Sequence, residues 1–295
     1  MDLHQIMAFE AVVAHRSFTR AAEALCLTQP AVTRQIASLE RELKTRLFDR
    51  LGKSVELTAT GETLHRYAAE ILRLASEAQT AVADVVTGSA GRLSVGANST
   101  TATYLLPPLL RRFRALHPGV ELVVHTGISA QVAEMVVANE VDIGVVTGYI
   151  PRKGLLDIPI TDYTTVAVVF PGHPLTNTGA PVRAEDLAGC PLILMEEGTN
   201  LRRYVDRLLS AAGLEERVTM ELDNVEAIKK MIEARLGISL LPLISVESEV
   251  ASGRLVALPL IDVPNAHRYV TAIYRDDKYV TAALRGFLAM LRDTN

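Results

Sequence analysis

Apolar positions recur at mostly helical intervals from the start of the chain: Leu3, Ile6, Met7, Phe9, Val12 and Val13 predict an amphipathic helix over residues 3–14. Ser17 is a good N-cap for a second, short helix, in which Ala21, Ala22 and Leu25 are small enough to let helices approach closely. After a tight break at Cys26-Leu27, Thr28 caps a third helix and Pro30 fits its first turn, where no intrahelical N–H bond is lost. Val32, Ile36, Leu39 and Leu43, at steps of four, three and four, mark its buried face and leave Gln29, Thr33 and Arg34 near the exposed N-terminal end. Two helices joined this way over residues 17–50 make a helix-turn-helix, whose second helix can enter a DNA major groove. Leu47 and Phe48 close the small core, and residues 51–58 read as a turn leading into a short strand, a wing.

The period then changes. From Ala59 to about Thr87, Leu64, Ile71, Ala78 and Val85 repeat every seven residues, with Tyr67, Leu74 and Ala81 three positions after the first three of them. Such a seam predicts a long helix that pairs with a second copy, because two recognition helices read a two-fold DNA site only when joined. Gly88-Ser89-Ala90-Gly91 is a hinge in composition, and alternating strands and helices follow. Strands are expected at 92–97, 120–125, 141–146, 164–170, 191–195, 218–222, 237–241 and 268–274, and helices at 102–116, 130–138, 200–212, 224–235 and 277–292. Alternation of this length implies a parallel sheet covered by helices, an α/β architecture.

Charge sharpens the first part of this picture. The 295-residue chain carries a formal net charge of −4, which by itself says nothing of nucleic acid. Between His15 and Ser54, however, eight Arg/Lys residues, including Arg34, Arg50 and Lys53, face only four acids. Basicity is concentrated where a DNA-facing surface needs it, and Arg50 and Lys53 are placed to meet phosphates. Two cysteines, Cys26 and Cys190, are too few for a disulfide framework and form no CxxC pattern. No apolar run of membrane-spanning length and no leader pattern stands out, so a cytoplasmic setting without a membrane partner is expected.

The stretch Ser17-Phe18-Thr19, Ala21-Ala22, Leu25, Thr28-Gln29-Pro30-Ala31-Val32-Thr33, Ile36, Leu39-Glu40, Leu43, Leu47-Phe48 and Arg50, continued by Leu57-Thr58 and Gly61, resembles the LysR-type transcriptional regulators, and the likeness extends over the whole chain. The resemblance implies a winged helix-turn-helix over 1–58, a dimerising linker helix over 59–88, and an effector-binding domain over 89–295 like the periplasmic solute-binding proteins. That last domain would have two α/β lobes, 89–162 with 268–295 and 163–267, and a ligand cleft between them. Ser17, Thr28, Gln29, Pro30, Ala31, Thr33, Arg34, Ser38, Arg50 and Lys53 are the expected DNA-binding residues, with Gln29, Pro30 and Thr33 favoured for base contact. The implied cleft is lined by the turns at Ser99, Thr100 and Thr101, at Thr126 and Ile128, and at Thr147, facing Gly198, Thr199 and Asn224. Several of these precede helices whose free N–H groups favour an anion, so the expected effector is a small carboxylate or phosphorylated metabolite with Arg202 as charge partner. The segments YLLPPLLRRFRALHPGVELVV and NVEAIKKMIEARLGISLLP look most like regulators of carbon-fixation and sulfur-assimilation operons. The implied partners are double-stranded promoter DNA, the effector, further copies of the chain as a dimer through 59–88 and a tetramer, and RNA polymerase; no cofactor is implied.

Rival readings find little support. Gly52-Lys53-Ser54 resembles the tail of a P-loop, but Leu47 occupies the position of its first glycine. No GxGxxG, GxSxG or HExxH occurs, and the seven histidines lack metal-ligand spacing, so neither an enzyme nor a metal site is expected. A cysteine-pair redox switch is disfavoured because Cys190 stands alone in the C-terminal part. A pure solute-binding module leaves residues 1–58 unexplained.

Overall fold

The computed structural model describes residues 1–51, 54–87, 91–148, 150, 152–178, 181–213, 218–261 and 267–292. It separates into two compact units, Met1–Val86 and Thr87–Asn295. In the first unit, α1 (Leu3–His15), α2 (Phe18–Ala24) and α3 (Gln29–Leu43) precede a hairpin of β1 (Phe48–Leu51) and β2 (Ser54–Leu57), and α4 (Ala59–Thr87) follows. Asp2 opens α1 with a capping box to Gln5, and the Ser17 hydroxyl accepts from the Arg20 amide at 3.4 Å to open α2. The turn into α3 is made at Cys26, whose φ of 53° lies in the left-handed region. Thr28 has the extended backbone of an N-cap, but its hydroxyl makes no capping bond; its carbonyl starts the helix, taking the Ala31 and Val32 amides at 2.9 and 3.2 Å.

Phe9, Val12, Ala21, Ala22, Val32, Ile36, Leu39, Leu47, Phe48 and Ala68 form the core. The sequence pattern assigned too much to it: Leu3, Met7 and Leu43 are 42%, 45% and 39% exposed. Leu3 and Leu43 lie in the terminal turns of their helices, and Met7 is rotated by about 100° from Ile6 around the helix axis. The strand pair holds Phe48 against Leu57 and Leu51 against Ser54, while Gly52 and Lys53 lie outside the described residues. Glu40 fastens α3 to this hairpin through the Leu47 and Phe48 amides at 2.8 and 3.4 Å. The hydroxyls of Thr58 and Thr60 both donate to the Arg46 carbonyl at 2.8 Å. Gly61 fits against the same bend: a Cβ there would stand 2.1 Å from the Leu47 carbonyl oxygen and 2.9 Å from Leu57 Cδ2.

The heptad seam of α4 divides into two uses. Leu64 and Ile71 pack against the core of their own unit, whereas Tyr67, Leu74 and Val82 are 62%, 51% and 65% exposed. The side chain of Val85, and Gly88 to Ala90, lie outside what is described.

The second unit begins with β3 (Arg92–Ala97), a π-type turn at Thr101–Leu105, α5 (Leu106–Leu116), β4 (Glu121–Thr126), α6 (Ser129–Val137) and β5 (Ile143–Thr147). It continues through β6 (Leu155–Val169), β7 (Val182–Arg183), β8 (Leu192–Met195), α7 (Asn200–Ala211), β9 (Val218–Leu222) and α8 (Val225–Glu233). The last elements are β10 (Ser239–Pro242), α9 (Glu247–Ala251), β11 (Val256–Ile261), β12 (His267–Arg275) and α10 (Ala282–Arg292). β3 runs parallel to β4 and β5, but β12 is antiparallel to β5 and β6, and β10 and β11 are antiparallel to β6. The sheet is therefore mixed rather than wholly parallel, with order β4-β3-β5-β12-β6-β11-β7 and β10 paired to β6.

Three strands of this unit depart from the sequence expectation, one of them β7, only two residues long and paired with β11. β6 extends back to Leu155, where Asp157, Pro159 and Asp162 hide the strand from a hydropathy reading and pairing with β12 supplies it. β11 is not expected from the sequence, because Pro259 interrupts its pattern; Val256 to Pro259 lie against β6, and Leu260 and Ile261 against β7. α10 begins only at Ala282, where the Thr281 hydroxyl accepts from the Leu284 amide at 3.1 Å and sets the cap. Among the described residues no helix is long and apolar enough to cross a membrane.

Apolar packing divides this unit into two halves. One core gathers Leu93, Val95, Phe113, Ile143, Tyr163, Val270, Leu284 and Phe287; the other gathers Val166, Val168, Ile193, Leu209, Ile228, Leu240 and Val246. The halves are tied by Tyr104, whose hydroxyl donates to Glu226. Lys229 sits behind that bond, 2.8 Å from Glu226 and 3.2 Å from Glu249, with its ammonium 5.4 Å from the centre of the Tyr104 ring.

Both units offer a stability test. Gly61→Ala should destabilise the first by about 1–3 kcal/mol through forced displacement of the hairpin bend, read by denaturant unfolding; an unchanged midpoint would contradict it. At Glu249, burial pushes the carboxyl up, but the Lys229 hydrogen bond and charge outweigh it and leave the group below its ordinary 4.5. A lowered folded value contributes stability above 4.5 that is lost as pH falls through the folded value, so Glu249→Gln should flatten the acid limb of a thermal-unfolding profile.

Candidate functional site

The exposed end of α3 presents Gln29, Pro30 and Arg34 to solvent, with Ala31 and Thr33 half-buried beside them. The Gln29 amide donates to Thr33 Oγ1 at 3.2 Å, so two of these residues are already aligned one helical turn apart. Thr28 is exposed at the cap and Ser17 is half-buried at the start of α2. Ser38 serves the interior instead: it is half-buried and its hydroxyl accepts from Gln5 Nε2 at 3.2 Å, fixing α1 on α3. Arg50 lies in the hairpin strand, and Lys53 falls outside the described residues.

In the second unit the turns after β3, β4 and β5 all lie at the C-terminal ends of parallel strands, the edge where such sheets bind ligands. Asn98 ties them together. Its side-chain oxygen accepts from the Thr101 amide at 3.1 Å, and its amide donates to Thr147 Oγ1 at 3.0 Å. The Ser129 hydroxyl donates to the Thr147 carbonyl at 3.3 Å, and Asn200, from the facing half, donates to that same carbonyl. Gly148, at φ +89°, turns the chain there; a Cβ would stand 3.1 Å from Asn200 Nδ2.

Between the halves is a cavity of about 300 Å³. Ser99, Thr100, Thr126, Ile128 and Thr199 line it, together with Asn98, Gly127, Ser129, Gln131, Met195, Glu196, Asn200, Leu201, Asp223 and Arg268. It has a polar wall at the starts of α6 and α7 and an apolar one from Ile128, Met195 and Leu201. Thr199 is also the N-cap of α7, accepting from the Arg202 amide at 3.1 Å.

Five expected ligand residues are used elsewhere. Thr101 is fully buried with its hydroxyl 3.5 Å from that of Thr147, itself 2% exposed, so both brace the turns from behind. Gly198 is exposed at φ +84° and contributes a turn. Asn224 caps α8, accepting from the Ala227 amide at 2.8 Å, and leaves its neighbour Asp223 on the cavity. Arg202 points into its own half, where Asp206 and Glu221 each hold it at 2.6 Å and the Met195 carbonyl takes a further bond at 3.1 Å. A guanidinium so occupied is committed to its own half rather than to a ligand.

Arg268, not among the expected ligand residues, is the cation on this cavity. It is 8% exposed, and burial chiefly lowers its guanidinium to about 10, opposed by Tyr204 and Tyr163. The only sequence signal for it was its place at the return of the chain between lobes. Cys26 is exposed, and burial pushes the half-buried Cys190 thiol up, away from the reactive thiolate.

Comparison with known proteins matches both units. Residues 3–62 match the family of bacterial regulatory helix-turn-helix proteins, lysR family, and residues 87–295 match the LysR substrate binding domain. A probable RuBisCO transcriptional regulator of Trichormus variabilis is 32% identical over 97% of this chain and 86% of its own. A full-length OxyR variant from Pseudomonas aeruginosa superposes with a TM-score of 0.72 at 26% identity, covering 100% of this chain and 94% of that one. Full-length CbnR in complex with its target DNA gives 0.69 at 24% identity, with 100% of both chains covered, a likeness of fold. The chain belongs to the LysR family, and is a DNA-binding transcriptional regulator with an effector-binding domain rather than an enzyme.

Proposed function

We propose that this regulator works in the cytoplasm as a homodimer, assembled further into a tetramer, whose promoter binding is set by a small anionic metabolite held in the cleft of the second unit. Exposed Gln29 and Arg34, with half-buried Thr33 between them on a firmly packed α3, carry the DNA side of the reading. Side chains at the N-terminal end of a recognition helix reach base edges, and Arg34 has the fork that reads guanine. Pairing is supported by the exposed apolar row Tyr67, Leu74 and Val82 along α4. The anion is supported by the helix starts at Ser129 and Asn200 and by Arg268 on one cavity. A ligand acts here only by favouring one arrangement of the halves or of the assembly over another. RNA polymerase is the partner through which such a change would reach transcription. The name of the Trichormus variabilis relative makes carbon-fixation promoters the first DNA to try.

A mobility-shift assay with the chain's own upstream DNA tests the reading, and no sequence-specific shift at moderate salt would defeat it. Arg34→Ala should weaken operator binding by about 1–3 kcal/mol if the residue grips guanine. A change confined to the salt dependence would make it a phosphate contact instead. Leu74→Glu should lower the oligomer mass in sedimentation; an unchanged mass would remove α4 from the interface.

A further inference from the structure

The cleft contains a cation that the fold leaves unmatched. Arg268 lies on β12 opposite Tyr163 of β6, lines the cavity and is 8% exposed. The buried cations Arg202, Lys229 and Arg275 each hold a carboxylate: Asp206 and Glu221, Glu226 and Glu249, and Asp277. Among the described residues no carboxylate pairs with Arg268, whose guanidinium lies 5.9 Å from the centre of the Tyr204 ring. The phenols of Tyr163 and Tyr204 lie near it, both buried and neither a counter-ion. A guanidinium withdrawn from water without a counter-ion is destabilising, and its planar fork matches the two oxygens of a carboxylate.

We propose that Arg268 is the anchor for the effector and that the effector is a small hydroxylated carboxylate, an inference that rests on reading this cleft as the ligand site. Two further features of the cavity narrow the chemistry. Glu196 and Asp223 line it as well, and carboxylates accept hydrogen bonds from hydroxyls while opposing a second negative group. Its volume of about 300 Å³ is at the lower end for ligand pockets, which suits a short carbon chain lying on Ile128, Met195 and Leu201. Because β12 pairs with β6 where the chain crosses between halves, the charge that a ligand neutralises lies where the halves articulate.

The test uses the full chain with glycerate as probe, and with propanoate, glycerol and inorganic phosphate as the arms that separate hydroxyl, charge and geometry. Calorimetry and thermal unfolding should show glycerate binding and raising Tm, propanoate binding more weakly, and glycerol doing neither. Arg268→Met should raise the Tm of the unliganded protein, because it removes an unmatched buried charge. It should also weaken glycerate by at least about tenfold, as loss of a charge-assisted pair does; Arg268→Lys should recover part of that. Phosphate binding more tightly than glycerate, or no response to any of the four probes, overturns the hydroxycarboxylate assignment. A lower unliganded Tm in Arg268→Met, the mark of a structural arginine, overturns the anchor. If Ser99→Ala and Thr199→Val weaken glycerate while Arg268→Met does not, the anchor fails and the cleft stands; if none of the three weakens it, the cleft reading fails too.

Discussion

The second unit depends on one constraint: the chain crosses between its two halves on strands that are paired with each other. β6 leaves the first half and β12 returns to it, with Arg268 opposite Tyr163 and His267 opposite Thr164 at the crossing. Beyond that point β6 takes β10 on one side and β11 on the other, so a single strand belongs to both cores. Backbone hydrogen bonds hold the crossing, while the cleft walls meet mainly through side chains. Tyr104 reaches Glu226 on one side of it, and Asn200 reaches the Thr147 carbonyl on the other. A few polar bonds between walls are modest in net free energy, which is what a ligand-responsive joint requires.

The same economy explains why polar residues in the cleft divide so sharply in role. Thr101, Thr147 and Asn98 direct their hydrogen bonds to one another and to strand ends, so that Ser99, Thr100 and Thr126 can face the cavity from a fixed frame. Arg202 and Arg268 show the division most clearly. Both are buried, but the first is neutralised by two acids of its own half and the second by none among the described residues. A satisfied charge organises structure; an unsatisfied one beside a cavity organises binding.

In the first unit, position is set by close packing instead. Glu40 joins α3 to the hairpin, the Arg46 carbonyl takes two threonine hydroxyls, and Gly61 gives Leu47 room that no other residue would. These bonds and this close fit hold the hairpin and α4 against α3, and so fix where Gln29 and Arg34 point. α4 then carries two apolar faces, one serving this core and one, with Tyr67 and Leu74, left outward.

How much of this could be read beforehand follows from the range of the forces involved. Periodicity, capping and turn chemistry are local, so the helix-turn-helix, the long helix and most α/β elements were legible in residues such as Val32, Ile36, Pro30 and Leu64. Pairing is not local: β11 with its Pro259, and the polar first half of β6, became strands only because partners far along the chain supply their hydrogen bonds. The cleft divides on the same line. Its turns at Ser99, Thr126 and Thr199 could be located from their place before helices. Which arginine was left to the cavity could not, because Arg202 meets Asp206 within its helix but Glu221 from another element, and Arg268 reaches the cavity from the returning strand. The sequence determined the parts and the kind of surface each would bear; tertiary structure alone decided which buried charge was left to the ligand, since neutralisation depends on distance in space rather than along the chain.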